Sequence, residues 1–155
     1  KIMEEIKHVF ISHYHEDEAN IEKMRSLLGD SYTIKNSSVT SDKFNRAQNP
    51  DYIKQMLREH IQWAGKLICL IGPHTHESEW VDYEIRAAHR MGKSIIGVYV
   101  HGATDADVPE ALDEYADAIV GWNRESIERA LAGEPSFSNA DGTSRKTGQV
   151  VRGTC

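Results

Sequence analysis

The stretch Trp80-Val81-Asp82-Tyr83-Glu84-Ile85 holds the side chains best suited to chemistry. On a helix, residues four apart share a face, so Trp80 and Glu84 are expected as neighbours, with Val81, Ile85 and Ala88 as the adjoining apolar stripe. Glu84 is then expected at the edge of the buried face, in the helix's second turn. A carboxylate against an aromatic ring and an apolar wall tends to have a raised pKa. Such a group can stabilise a developing cation or bind sugar hydroxyls, as carboxylates do in glycosyl transfer. The plain alternative is an exposed helix glutamate paired with a lysine or arginine. Val9-Phe10-Ile11-Ser12-His13 ends an apolar run in a hydroxyl and an imidazole. Ser12 and His13 are therefore candidates for ligand contact, or they simply end a strand. Asn36-Ser37-Ser38 likewise either meets a ligand or makes a turn. His13/His15 and His74/His76 form two His-x-His pairs that could approach a transition metal. No carboxylate or cysteine completes a familiar zinc spacing around them, and no metal ligand is assigned.

The elements that must position these residues alternate. Val9–Ile11 reads as a first strand, followed by a helix over Glu16–Leu28 with Ile21, Met24, Leu27 and Leu28 on one face and Gly29 as its stop. Tyr32–Val39 reads as a second strand and Ser41–Gln48 as a polar loop. Asn49-Pro50 starts a helix that keeps its apolar spacing through Ile61. Leu67–Ile71 is apolar on both faces, the mark of a central parallel strand. Ser78 is placed to cap a helix running to Met91, with Gly92 ending it. Ser94–Val100, a short helix over Pro109–Ala116, a strand over Ala118–Trp122 and a helix capped by Asn123 complete the order. Five β-α units imply a doubly wound parallel sheet of flavodoxin-like order 2-1-3-4-5. In such sheets ligands bind beyond the carboxyl ends of the strands, at the switch between strands 1 and 3. That rule nominates Ser12–His15, Asn36–Val39 and Gly72–Trp80. Residues 1–134 read as the folded domain, and the polar stretch 135–155 as a flexible tail.

Composition and missing motifs narrow the function. A net charge of −6 argues against a nonspecific grip on nucleic acid. No apolar run approaches the ~20 residues that span a bilayer, so no membrane partner is expected. Two distant cysteines, Cys69 and Cys155, imply no disulfide framework and fit a reducing cytoplasm, and no secretory signal is recognised. GxGxxG, GxxxxGK[ST] and GxSxG are all absent, which removes support for a dinucleotide-binding Rossmann fold, a Walker-type NTPase and a serine nucleophile elbow. The first loop is not the phosphate loop of a flavodoxin. The third strand ends in Ile71-Gly72-Pro73 where a receiver domain needs an acceptor aspartate.

Two stretches in this order resemble a family. Val9–His13 with Glu16-Asp17, and then Glu79–Ile85, look like the two signature boxes of TIR domains. Lys35-Asn36-Ser37-Ser38-Val39 and Ile61–Ile68 are closer to one branch, the TIR-like proteins of bacteria and archaea that include the ThsB subunit of Thoeris anti-phage defence. The resemblance covers about residues 7–122. It implies an enzyme that cleaves NAD+ between nicotinamide and ribose, with NAD+ as substrate and no separate cofactor. By motif match the catalytic glutamate is Glu84, with Trp80 one turn before it. Phe10 and Ser12 fall on the strand whose end lines the nucleotide site, and Ser37 and Ser38 near the loop that borders it. The branch further implies a cyclised or conjugated ADP-ribose signal that reaches a separate effector protein, and self-association through TIR–TIR contacts. The loop after strand 2 departs from the Arg/Pro-rich pattern of animal receptor TIR domains. Two alternatives stand beside this reading: a non-catalytic TIR interaction module, and an enzyme similar to nucleoside deoxyribosyltransferases.

Overall fold

Strands β1 (Lys7–Ser12), β2 (Tyr32–Asn36), β3 (Lys66–Ile71), β4 (Ser94–Tyr99) and β5 (Ala118–Val120) form one sheet in the order β2-β1-β3-β4-β5. Every pairing in it is parallel. This is the flavodoxin-like α/β fold expected from the sequence. A computed structural model describes residues 7–14, 19–36 and 50–145. Helices α1 (Ala19–Leu28), α2 (Pro50–Trp63), α3 (Glu79–Arg90), α4 (Glu110–Tyr115) and α5 (Arg124–Leu131) connect and cover the strands. None of the described helices is long and apolar enough to cross a membrane.

Successive strand residues point to opposite faces, and this sorts the apolar side chains into two layers. Phe10, Leu67, Cys69, Ile71, Ile95, Tyr99 and Ile119 pack with α2, α3 and α4. Val9, Ile11, Ile68, Leu70, Ile96, Val98 and Val120 pack with α1 and α5 on the other face. Val9, Phe10 and Ile11 are all fully buried, as are Leu67 through Ile71, which is why these strands read as continuous apolar runs. Cys69 is buried, its Sγ 3.9 Å from the Leu70 carbonyl oxygen.

Boundaries differ in physically readable ways. β5 is shorter than Ala118–Trp122 because its ladder with β4 runs only from Ala118 to Val120. β1 begins earlier, at Lys7, because it pairs with Tyr32 on β2 from its first residue. The expected extension of β2 to Val39 and the start of α1 at Glu16 lie outside the described residues. The stretch expected as a flexible tail is bonded to the sheet for part of its length. The Ile119 amide donates to the Ser136 carbonyl and the Ser138 amide to the Ile119 carbonyl, both at 2.8 Å. Tyr99 Oη donates to the Ser138 carbonyl at 2.9 Å, and Arg145 pairs with Asp113 at 3.2 Å. Phe137 packs on the core, an apolar anchor that an otherwise polar sequence conceals.

Candidate active site

The site begins with alternation along β1. Phe10 and Ser12 point to the α3 side of the sheet while Val9 and Ile11 point away. Ser12 is the last residue of β1, at the carboxyl edge beside β3, where it pairs with Cys69. Its Oγ donates a hydrogen bond of 2.5 Å to Glu84 Oε1. Both residues are 0% exposed. A carboxylate removed from water is costly unless polar partners hold it, and a hydroxyl donor to a charged oxygen contributes about 1.5–3 kcal/mol. The exposed, lysine-paired glutamate is thereby excluded for Glu84. It sits deeper than the edge position that its helical spacing suggested.

Local structure fixes where Glu84 falls. Thr75 is fully buried, and its hydroxyl donates to the Leu70 carbonyl at 3.1 Å while accepting from the Gly72 amide at 2.7 Å. That pair of bonds folds the chain back at the end of β3. A short 3-10 turn over Thr75–Glu77 then delivers Ser78, whose Oγ accepts from the Val81 amide at 3.2 Å and caps α3. At the other end the Lys93 amide donates to the Ala88 carbonyl and the Gly92 amide to the His89 carbonyl, with Gly92 at φ 73°. This is the Schellman arrangement that a left-handed glycine permits. Val81, Ile85, Ala87 and Ala88 bury one face of the helix, and Glu84 is buried with them.

The other candidates take distinct positions. His13 follows Ser12 and is buried, 7% exposed. Phe10 lies in the core, its ring 6.4 Å from that of His60. Trp80 is half-buried and meets Tyr83 edge-on at 6.1 Å. Ser37, Ser38 and His15 lie outside the described residues. His74 and His76 face Glu77, at 3.2 and 3.7 Å, and His76 Nδ1 lies 3.9 Å from Asp107. Among the described residues no group of three or more His, Cys, Asp or Glu could hold a metal ion.

Two features of the site escaped sequence reasoning. One is the Thr75 clamp, whose only signal was a hydroxyl two residues beyond a Gly-Pro pair. The other is the brace between α2 and α3: Arg58 Nη1 donates to Tyr83 Oη at 3.0 Å, and Lys54 Nζ lies 5.6 Å from the Tyr83 ring centre. Nearby, burial pushes the His60 imidazole below its ordinary value of 6.5, with the Lys35 ammonium acting in the same direction.

A doubly wound parallel sheet whose first strand ends on a hydroxyl that grips a buried glutamate of the third helix defines a TIR-like class of domain. The family described as "Thoeris protein ThsB, TIR-like domain" matches residues 10–105, more than half of the chain, and the chain belongs to that family. The match spans Phe10, Ser12, Trp80 and Glu84. Among solved structures, a 3-dehydroquinate dehydratase-like protein from Bifidobacterium longum is similar at 8% identity, over 81% of this chain and 93% of that one, with a TM-score of 0.43. A likeness that loose carries no argument about chemistry. No curated protein matches the sequence.

Proposed function

We propose that this domain cleaves NAD+ at the bond between nicotinamide and ribose, with Glu84 as the catalytic carboxylate. The observation that carries the reading is the Ser12–Glu84 pair, a carboxylate held at the carboxyl edge between strands 1 and 3, where doubly wound sheets bind ligands. Membership of the ThsB TIR-like family supports it. The chemistry suits one carboxylate. Nicotinamide in NAD+ is a cationic leaving group, so the C–N bond breaks with both electrons passing to the ring and no proton supplied. The ribosyl cation left behind is stabilised by a nearby carboxylate that also orients the sugar hydroxyls. Water capture yields ADP-ribose and one proton; capture by a nucleophile within the same molecule yields a cyclic product and releases that nucleophile's proton. Exclusion of water selects the second course.

With Glu84 0% exposed, turnover awaits an opening that brings the ribose to it. An activator or an assembled state that exposes the carboxylate supplies that opening, consistent with self-association through TIR–TIR contacts. The product then diffuses to a separate effector protein, and a reducing cytoplasm is the compartment proposed, in keeping with a sequence of only two distant cysteines.

Full burial also favours a second reading, in which Glu84 is a structural carboxylate and the domain a non-catalytic interaction module. Nicotinamide release, followed chromatographically over a range of protein concentrations and with extract from phage-infected cells, separates the two. The wild-type chain is expected to release nicotinamide under at least one of these conditions, and Glu84→Gln to fall to background with its fold retained by circular dichroism. Full activity in Glu84→Gln overturns the assignment. Silence of the wild type under every condition supports the module, and turnover of nucleosides instead of NAD+ supports a deoxyribosyltransferase. Mass spectrometry of the products distinguishes cyclic from linear ADP-ribose.

A further inference from the structure

At the amino end of the sheet, opposite the Ser12–Glu84 pair, lies a cavity of about 540 Å³ lined by Lys7, His8, Trp63, Lys66 and Lys93 together with the end of α5. The topology brings the three lysines together. Lys7 opens β1, Lys66 opens β3, and Lys93 immediately precedes β4, and these three strands are neighbours in the sheet. In the ladder Lys66 is level with Val9 and with Ser94, so Lys7 lies two residues before it and Lys93 one residue before it, all three at the rim of the cavity. A fourth ammonium, that of Lys35, lies 4.7 Å from the Trp63 ring centre, and His8 stacks on the same indole at 4.2 Å. Two basic side chains thus contact the indole.

Among the described residues no carboxylate lines this cavity, while Lys93 also borders a neighbouring one lined by Glu114 and Asp117. Among the described residues none of the four lysines forms an ion pair with an acid: Lys93 Nζ donates to the Gln62 carbonyl at 3.1 Å, and Lys7 Nζ lies 5.9 Å from the Tyr32 ring centre. The chain as a whole carries a net charge of −6, so acids are plentiful elsewhere. Gathering cations in one cavity is unfavourable unless counter-charges offset it. The carboxyl ends of α2 and α5 offset part of that through their dipoles, but a dipole end is a fractional charge facing several full ones. We propose that this cavity is a second binding site, separate from the Glu84 crevice, for a compact multivalent anion, a diphosphate or triphosphate group. Three lysines around one cavity suit a chain of phosphates better than one isolated anion.

Isothermal titration of the full chain at near-physiological salt with pyrophosphate, orthophosphate and ATP tests this. Pyrophosphate is expected to bind with a Kd below about 1 mM, and orthophosphate about tenfold more weakly or worse. The double variant Lys66→Gln/Lys93→Gln should lose about tenfold or more in pyrophosphate affinity. Lys66→Arg, which keeps the charge, should retain binding, and so should Glu84→Gln and the remote surface variant Lys23→Gln. The Trp63 indole proton signal should shift on titration, while those of Trp80 and Trp122 stay in place. ATP binding more tightly than pyrophosphate identifies a nucleotide as the source of the phosphates; equal affinities identify the phosphate chain alone. The proposal is overturned by absence of binding to all three anions, by affinity unchanged in the double lysine variant, or by equal loss in Lys23→Gln or Glu84→Gln. It does not depend on NAD+ turnover, and none of these readouts requires it.

Discussion

At the scale of single residues, the Ser12–Glu84 hydrogen bond joins stability to the proposed chemistry. Ser12→Ala removes the donor while leaving the carboxylate buried, and is expected to lower the free energy of unfolding by about 1–3 kcal/mol in urea titration. With Glu84 catalytic, the same variant should lower kcat more than it changes KM, because the lost contact orients the carboxylate and does not bind the substrate. His60 makes a second prediction. Its imidazole sits between Phe10 and the Lys35 ammonium, and its Nδ1 is buried without a hydrogen-bond partner among the described residues. Burial holds its pKa below the unfolded value of 6.5, with Lys35 adding and Glu59 opposing. The unfolded chain therefore binds more protons in the window below 6.5, and stability declines as pH falls through it. The stabilisation is fully present above that value. His60→Gln should flatten this part of the stability–pH profile, as read from denaturant midpoints between pH 7.5 and pH 5.5, a range of about one unit either side of the free imidazole value.

At the scale of elements, α3 is the carrier of the site, and its ends determine where Glu84 falls. Ser78 Oγ caps the first turn, Gly92 closes the last, and Asp82 pairs with Arg86 at 3.0 Å along the exposed side. The exposed pair contributes little, about 0.3–0.5 kcal/mol for an i,i+4 contact; the cap contributes more. Ser78→Ala is expected to cost about 1 kcal/mol, measured by chemical denaturation, and to increase amide exchange at Val81, whose N–H loses its acceptor. α2 has a different duty. Its Arg58 and Lys54 engage Tyr83 and so tie α2 to α3 beside the site. Any opening that uncovers Glu84 must preserve or break this brace.

At the scale of the molecule, two apolar layers on one sheet hold the elements in place, and among the described glycines Gly97 on β4 is the one closely packed by neighbours. A Cβ there would meet Leu112 Cδ2 at 2.7 Å and Ile71 Cδ1 at 3.1 Å. Both neighbours are tips of flexible side chains, so Gly97→Ala should fold but lose about 1–3 kcal/mol through overpacking, visible as a lower thermal midpoint. The open edge at β5 is partly covered by Ser136–Ser138, which lends two backbone hydrogen bonds to a strand of only three residues. The sheet's two ends have opposite character: a buried acid at the carboxyl edge and three lysines around a cavity at the amino edge.

Local physics made much of this legible before any coordinates. Continuous apolar runs between helix-period segments leave few options other than a parallel sheet covered on both faces, and Ser78, Asn123 and Gly92 marked helix ends through their own side-chain or backbone chemistry. The order 2-1-3-4-5 followed from handedness and precedent, and the TIR-like family from two short stretches of residues. Helical spacing placed Glu84 beside an apolar stripe but could not bury it. Burial depends on how α3 lies against β1, a contact between residues 72 positions apart. The same limit hid the Thr75 clamp, the Tyr83 brace and the pairing of Phe137 with the edge strand, and it hid the basic cavity, since Lys7, Lys66 and Lys93 are unremarkable lysines until the fold brings them to one cavity at the sheet's amino end. Periodicity is a property of neighbours along the chain and is written in the sequence. Which distant side chains meet depends on packing, and that only the tertiary structure decides.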